Sequence, residues 1–197
     1  MRMRVFFRCF WGMMFTLALV QLSKAASADF GTDLNGKPIV QLAAPGERVV
    51  VLFFAASDCP VCNRYVPEIA RLNREFSTHG VRIWWVFPNP EDTAPIITKH
   101  NADFAIAEPA VLDSRQTLAR FAHISTTPES AVFTVEGHEL HQVYHGRIDD
   151  RYLSIGRERP QPEHRDLEVA IEAALAGKPV PRPGGPPVGC WVEPLQK

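Results

Sequence analysis

The chain has 197 residues, a formal net charge of −1, 46% hydrophobic residues and 22% charged ones. Those figures suit one folded domain with appendages and exclude wholesale disorder. They also exclude a basic nucleic-acid binder, a fixed-period repeat protein and any uninterrupted apolar run of the ~18 residues that span a bilayer.

The charge is unevenly placed. Residues 1–28 hold Arg2, Arg4, Arg8 and Lys24 and no acidic side chain, so the remainder sets 17 basic residues against 22 acidic ones. A basic start, an apolar stretch from Phe10 to Val20 and the small residues Ala26-Ser27-Ala28 before Asp29 form the layout of a cleaved secretory signal. The alternative is a retained anchor over Val5–Leu22, an apolar stretch that Arg8 interrupts. The expectation is a signal peptide at 1–28 and a mature protein that is periplasmic or secreted. Cys9 lies too early for a lipoprotein site and leaves with the signal.

Past the leader, Asp33 to Leu42 reads as a short hairpin turning at Asn35-Gly36. Arg48 to Ala55 is a continuous β-branched and aromatic run, the pattern of a strand buried on both faces. Ser57 and Asp58 are capping residues ahead of a helix from Pro60 to Ser77, whose apolar positions recur at spacings of three and four. Val81–Phe87 is a second buried strand, with Trp84, Trp85 and Phe87 read as core. Short helices are expected over Thr93–Asn101 and Ser114–His123. Ala131–Val135 and Glu139–His145 form an antiparallel pair about Glu136-Gly137, and a last helix covers Glu163–Ala176. Gly156–Pro162 reads as a surface loop and Asp149-Asp150-Arg151 as a solvated turn. Alternating strands and helices closed by a hairpin give an α/β domain with a mixed central sheet flanked by helices. From Lys178 onward the proline and glycine content forbids helix or central strand. The domains are therefore 1–28, 29–177 and an extended tail, 178–197, that carries Cys190.

Three cysteines remain after the leader, an odd number that leaves a thiol unpaired or transiently paired. Cys59 and Cys62 stand two residues apart at the junction of a buried strand with a helix. Free amides and the positive end of the dipole at that junction favour thiolate over thiol, which in such motifs lowers the thiol pKa to between about 3.5 and 7.5. Pro60 fits the first helical position and biases Cys59 to the cap. The negative charge of Asp58 opposes the effect. A zinc site needs a second ligand pair at finger spacing, which is lacking, and a permanent disulfide here closes too short a loop to stabilise much. A redox, a structural and a metal reading all remain open; spacing, cap and strand together favour redox.

The strand VVVLFF, the run Cys59-Pro60-Val61-Cys62-Asn63-Arg64-Tyr65-Val66-Pro67 and Thr126-Thr127-Pro128 before AVFTV resemble the thioredoxin superfamily. The branch is the redoxin one, labelled with alkyl hydroperoxide reductase and thiol-specific antioxidant proteins. The resemblance covers about residues 30–177; Tyr144–Asp150 and Val188-Gly189-Cys190 also resemble a group of secreted redoxin domains, a match that leaves room for a structural salt bridge at Asp149-Asp150-Arg151. It implies a thioredoxin-like fold and an enzyme, a thiol–disulfide oxidoreductase, in which Cys59 attacks and Cys62 resolves. Thr127 and a cis Pro128 would bind the substrate, Pro67 would kink the helix and Cys190 is a possible third thiol. No cofactor or metal is implied. The partners are protein thiols and disulfides and a redox partner protein, with a membrane involved only if the leader is retained.

Two alternatives belong to the same resemblance. A peroxidase would carry Pro-x-x-x-Thr-x-x-Cys, but Leu52 and Ala56 hold those positions. A copper-binding assembly module of the Sco type would need Cys-x-x-x-Cys, and its second cysteine falls on Asn63. His138, His141 and His145 cluster on the last hairpin, with His141 and His145 expected on one strand face and His138 on the other; they read as imidazoles of a partly exposed strand. His123, before the proline loop, reads as packing.

Overall fold

The computed structural model describes residues 29–195, and the leader expectation for 1–28 lies outside the described residues. Among the described residues no helix is long and apolar enough to cross a membrane.

The apolar runs set the centre of the molecule. β1 (Val49–Phe54) is buried at every position because each face meets its own core. Val49, Val51 and Phe53 pack with Ile69, Leu72, Trp85 and Leu167. Val50, Leu52 and Phe54 pack on the opposite side with Val111, Leu118 and Phe133. β2 (Val81–Phe87) pairs in parallel with β1, and β3 (Ala110–Leu112) in parallel with β2. Two further strands lie on the other side of β1: β5 (Glu129–Glu136) antiparallel to it and β6 (Glu139–Gly146) antiparallel to β5. The order is β3-β2-β1-β5-β6, a mixed sheet flanked by helices. β3 has no signature in the sequence, since three residues are too short to show a period.

The helix expected over 60–77 is two helices, α1 (Pro60–Arg64) and α2 (Val66–Phe76). Pro67 has no amide to give to Asn63, and its ring would crowd that carbonyl in a continuous helix; the break therefore falls at Tyr65, and Pro67 enters the first turn of α2. α3 (Ala94–Asp103) follows Thr93. α4 (Thr117–Phe121) starts later than expected because Asp113 accepts the amides of Thr117 and Ala119, at 2.7 and 2.9 Å, and caps it. α5 (Asp166–Leu175) is also shortened. The Asp150 carboxylate takes the amides of Glu163 and His164, at 2.7 and 3.0 Å, and holds them outside the helix.

Several finer expectations need correction. The segment after Asp150 is not all loop: β7 (Tyr152–Ser154) pairs with β8 (Arg157–Glu158). Asp149 and Asp150 are 2% and 4% exposed, so they are not a solvated turn. His141 and His145 do not share a face. Val143 is an extra residue at a bulge, which leaves His145 opposite Ala131 and His141 opposite Thr134, on opposite sides of the sheet. The early hairpin forms as a single bridge between Thr32 and Pro38, and Thr32 also bridges Leu112 at the free side of β3.

Residues 178–195 form no helix, and they are docked on the domain. Gly184 lies so close to Tyr144 that a Cβ would sit 2.2 Å from the phenol oxygen. Farther on, β9 (Cys190–Trp191) pairs antiparallel with β4 (Thr126–Thr127).

Candidate active site

The site lies where β1 ends. Cys59 caps α1 with extended backbone (φ −81°, ψ 110°), and Pro60 occupies the first helical turn. Ser57 does not cap the helix: its amide and hydroxyl donate to Asp92 Oδ1 at 3.2 and 2.5 Å, which fixes the approach from β1. Asn63 donates to the Ser57 carbonyl at 3.4 Å and lies 2.8 Å from His100 Nε2. The position that a copper carrier would fill with cysteine is thus occupied by a hydrogen-bonded amide.

Cys59 and Cys62 are 1% and 0% exposed, which corrects the expectation that the first cysteine of such a pair is the exposed nucleophile: here Cys59 is covered. The Thr127–Pro128 bond is cis, and the Cys59 thiol reaches the Thr127 carbonyl at 3.6 Å. The structure therefore brings together all four residues of the sequence-based site. The fifth joins them: the Cys190 thiol is directed at Cys59 Sγ, 3.5 Å away.

Electrostatics separate the three sulfurs. Cys59 falls from 9.0 to about 6, chiefly because the Cys62 thiol donates to it, with help from the amides of Cys62 and Val61 and from Cys190; burial opposes the fall. Cys62 is pushed well above 9.0 by burial and by the neighbouring Cys59. Cys190 is pushed up to about 11 by burial and by Cys59. One sulfur is a thiolate at neutral pH and two stay protonated, the division that an attacking thiol and its resolving partner need.

Residues 23–141 match the model of the AhpC/TSA family. The chain belongs to the AhpC/TSA family. In this AhpC/TSA protein the fold is the thioredoxin-like redoxin fold, and several solved structures share it. An uncharacterised conserved protein from Geobacillus kaustophilus is 22% identical over 87% of this chain and 91% of its own, with a TM-score of 0.71. A hypothetical protein from Sinorhizobium meliloti 1021 is 22% identical over 84% and 91%, at 0.69. A thiol-disulfide oxidoreductase from Bacteroides fragilis is 16% identical over 60% and 88%, at 0.50. These likenesses concern the fold. No curated protein matches in sequence.

Both positions at which the peroxidase pattern fails are built into the family member's interior: Leu52 and Ala56 are 0% and 1% exposed. Sequence reasoning missed a polar pair behind the proline loop. The Tyr65 hydroxyl donates to Asp149 Oδ1 at 2.6 Å, while Oδ2 of this buried carboxylate has no partner. Burial raises Asp149 above the usual carboxylate range, against the opposing hydrogen bonds from Tyr65 and the Arg151 amide. Tyr65, Pro128, Asp149 and Val188 line one small crevice. Strict helical spacing puts Tyr65 on the core side of the helix, and only its hydroxyl signals that it needs a partner there. His123 faces His145, with ring centres 6.2 Å apart.

Proposed function

We propose that this AhpC/TSA-family protein is an exported thiol–disulfide oxidoreductase. The reading is carried by the split between a Cys59 thiol at about 6 and a Cys62 thiol held well above 9.0, both beside the Thr127–Pro128 loop. The Cys59 thiolate attacks a client disulfide; one client sulfur leaves as thiolate and the other is held in a mixed disulfide. Cys62 then gives up its proton, attacks Cys59 Sγ and releases the second client thiolate. The two electrons the client gains are those the Cys59–Cys62 pair loses in forming its own disulfide. Thr127 and Pro128 hold the client strand by their backbone while this happens. In this reading the mature chain begins near Asp29, the domain ends at Gly177, and the N-terminal layout places the protein in the periplasm or outside the cell, where disulfides persist.

Replacing Cys59 by serine is expected to reduce turnover of insulin disulfides to the uncatalysed rate. Replacing Cys62 by serine should instead trap a mixed disulfide visible by mass. A Cys59→Ser variant that works at the unmodified rate overturns the proposal.

A further inference from the structure

A segment of the protein's own tail fills the edge of β4. Thr127 stands opposite Cys190 and Thr126 opposite Trp191. The pairing continues past the strand: the Val192 amide donates to the Ser125 carbonyl and the Glu193 amide to Asn89 Oδ1, each at 3.0 Å. Gly189 passes so near the loop that a Cβ would lie 2.0 Å from the Thr127 oxygen and 2.8 Å from Pro128 Cδ. Trp191 turns outward and is 78% exposed. A segment kept only to cover the domain would have no need to aim a sulfur at Cys59, yet Cys190 lies 3.5 Å from it. Beside Cys190 a groove lined by Pro60, Val61, Tyr152 and Ile155 together with Arg64 and Glu158 stays open, and the ladder that holds β9, two residues plus the Val192 and Glu193 amides, is short enough to be exchanged for another strand.

We propose that residues 188–193 are a built-in client: the tail masks Cys59, exchanges disulfides with it, and shows that outside clients are extended strands presenting a cysteine directly after a glycine. The proposal rests on the exchange reading of the Cys59–Cys62 pair. From the Cys59–Cys62 disulfide, Cys190 loses its proton and attacks Cys59 Sγ. The Cys59–Cys190 bond forms, the Cys59–Cys62 bond breaks, and Cys62 leaves as a thiolate that takes up the proton; no electrons are gained or lost overall. An outside strand competes with a tethered one for the same edge, so the tail sets the threshold a client must exceed. The glycine requirement is steric: any side chain before the cysteine meets the Thr127 carbonyl, and backbone there has no room to yield.

The test uses the full, reduced chain and two peptides, Pro-Val-Gly-Cys-Trp-Val-Glu and its counterpart with valine for glycine, each bearing its cysteine as a mixed disulfide with thionitrobenzoate. Release of the coloured thiolate should be at least about tenfold faster for the glycine peptide, the scale on which a pocket rejects added carbon. Gly189→Val in the full chain expels the tail and should speed attack by Cys59 on both the glycine peptide and Ellman's reagent by a similar factor. Val192→Pro, which lacks the amide that reaches Ser125, should act in the same direction. Mild oxidation of the unmodified protein should give a Cys59–Cys190 linked peptide by mass spectrometry, lost in Cys190→Ser. Equal rates for the two peptides, or an absent Cys59–Cys190 link, overturn the built-in client; so does a lack of any gain on expelling the tail while Ellman's reagent still reacts at Cys59. In each case the exchange reading is left standing. A Cys59 inert to Ellman's reagent in every variant overturns that reading itself.

Discussion

The ionisation of Cys59 should depend on Cys62 more than on any other group. A fall from 9.0 to about 6 amounts to about 4 kcal/mol of preference for the thiolate. The sulfur is then roughly 90% ionised at pH 7 and about 10% at pH 5, where an ordinary thiol at pH 7 is about 1% ionised. The perturbation is Cys62→Ala, which removes the largest of the lowering contributions and leaves the amides of α1 in place. Alkylation of reduced protein by iodoacetamide from pH 4.5 to 9.5, with Cys59 followed by peptide mass, gives the midpoint. The tail scales the absolute rate, while the shape of the curve belongs to Cys59, and Cys190, held near 11, stays silent in this window. The midpoint should lie near 6 in the unmodified protein and rise by at least about one pH unit in the variant. A midpoint unchanged by Cys62→Ala, or one already near 9 with Cys62 present, would refute the reasoning.

Two further outcomes test the surrounding structure. Tyr65→Phe removes the hydroxyl that serves the buried Asp149 and should cost about 1–3 kcal/mol near pH 7 in urea unfolding. Because the folded Asp149 sits above its ordinary 3.8, its ionisation opposes folding and stability falls as pH rises through that range; the penalty of the variant should therefore shrink toward pH 4, and a pH-independent penalty contradicts the assignment. Trp85 is fully buried with an indole N–H that has no partner, so Trp85→Phe should cost far less in thermal unfolding than the roughly 3–5 kcal/mol expected of Trp85→Ala. Equal losses would mean that the N–H is satisfied.

The sheet was legible wherever the sequence imposed a long pattern. VVVLFF and VRIWWVF are apolar at both parities, which only a strand covered on two sides tolerates, and both strands occur where the runs lie. The pair Cys59 and Cys62 was legible for a different reason, because cap, proline and preceding strand act within a few residues. What stayed hidden depends on contacts between distant residues. Asp149 and Asp150 have the composition of an exposed turn, and their reason to be buried lies with Tyr65, Arg159 and the amides of residues 151, 163 and 164. The docking of Cys190 onto Thr127 joins residues 63 positions apart in sequence, and its local cue, a glycine before the cysteine, has meaning only once the loop it must clear is in view. The bulge at Val143, which separates His141 from His145, likewise leaves no trace in a strand that alternates normally on either side.

The bridge between Thr32 and Leu112 has a bearing on how the chain is processed. Thr32 exchanges amide and carbonyl with Leu112, at 3.2 and 2.8 Å, along the outer side of β3, and Asp29 pairs with Arg115 just ahead of it. Those few residues seal a sheet border that would otherwise present open main-chain groups to other molecules. Trimming that stopped at Asp29 would leave the seal whole, whereas a cut three or four residues farther in would strip it and turn that border into a nucleus for aggregation.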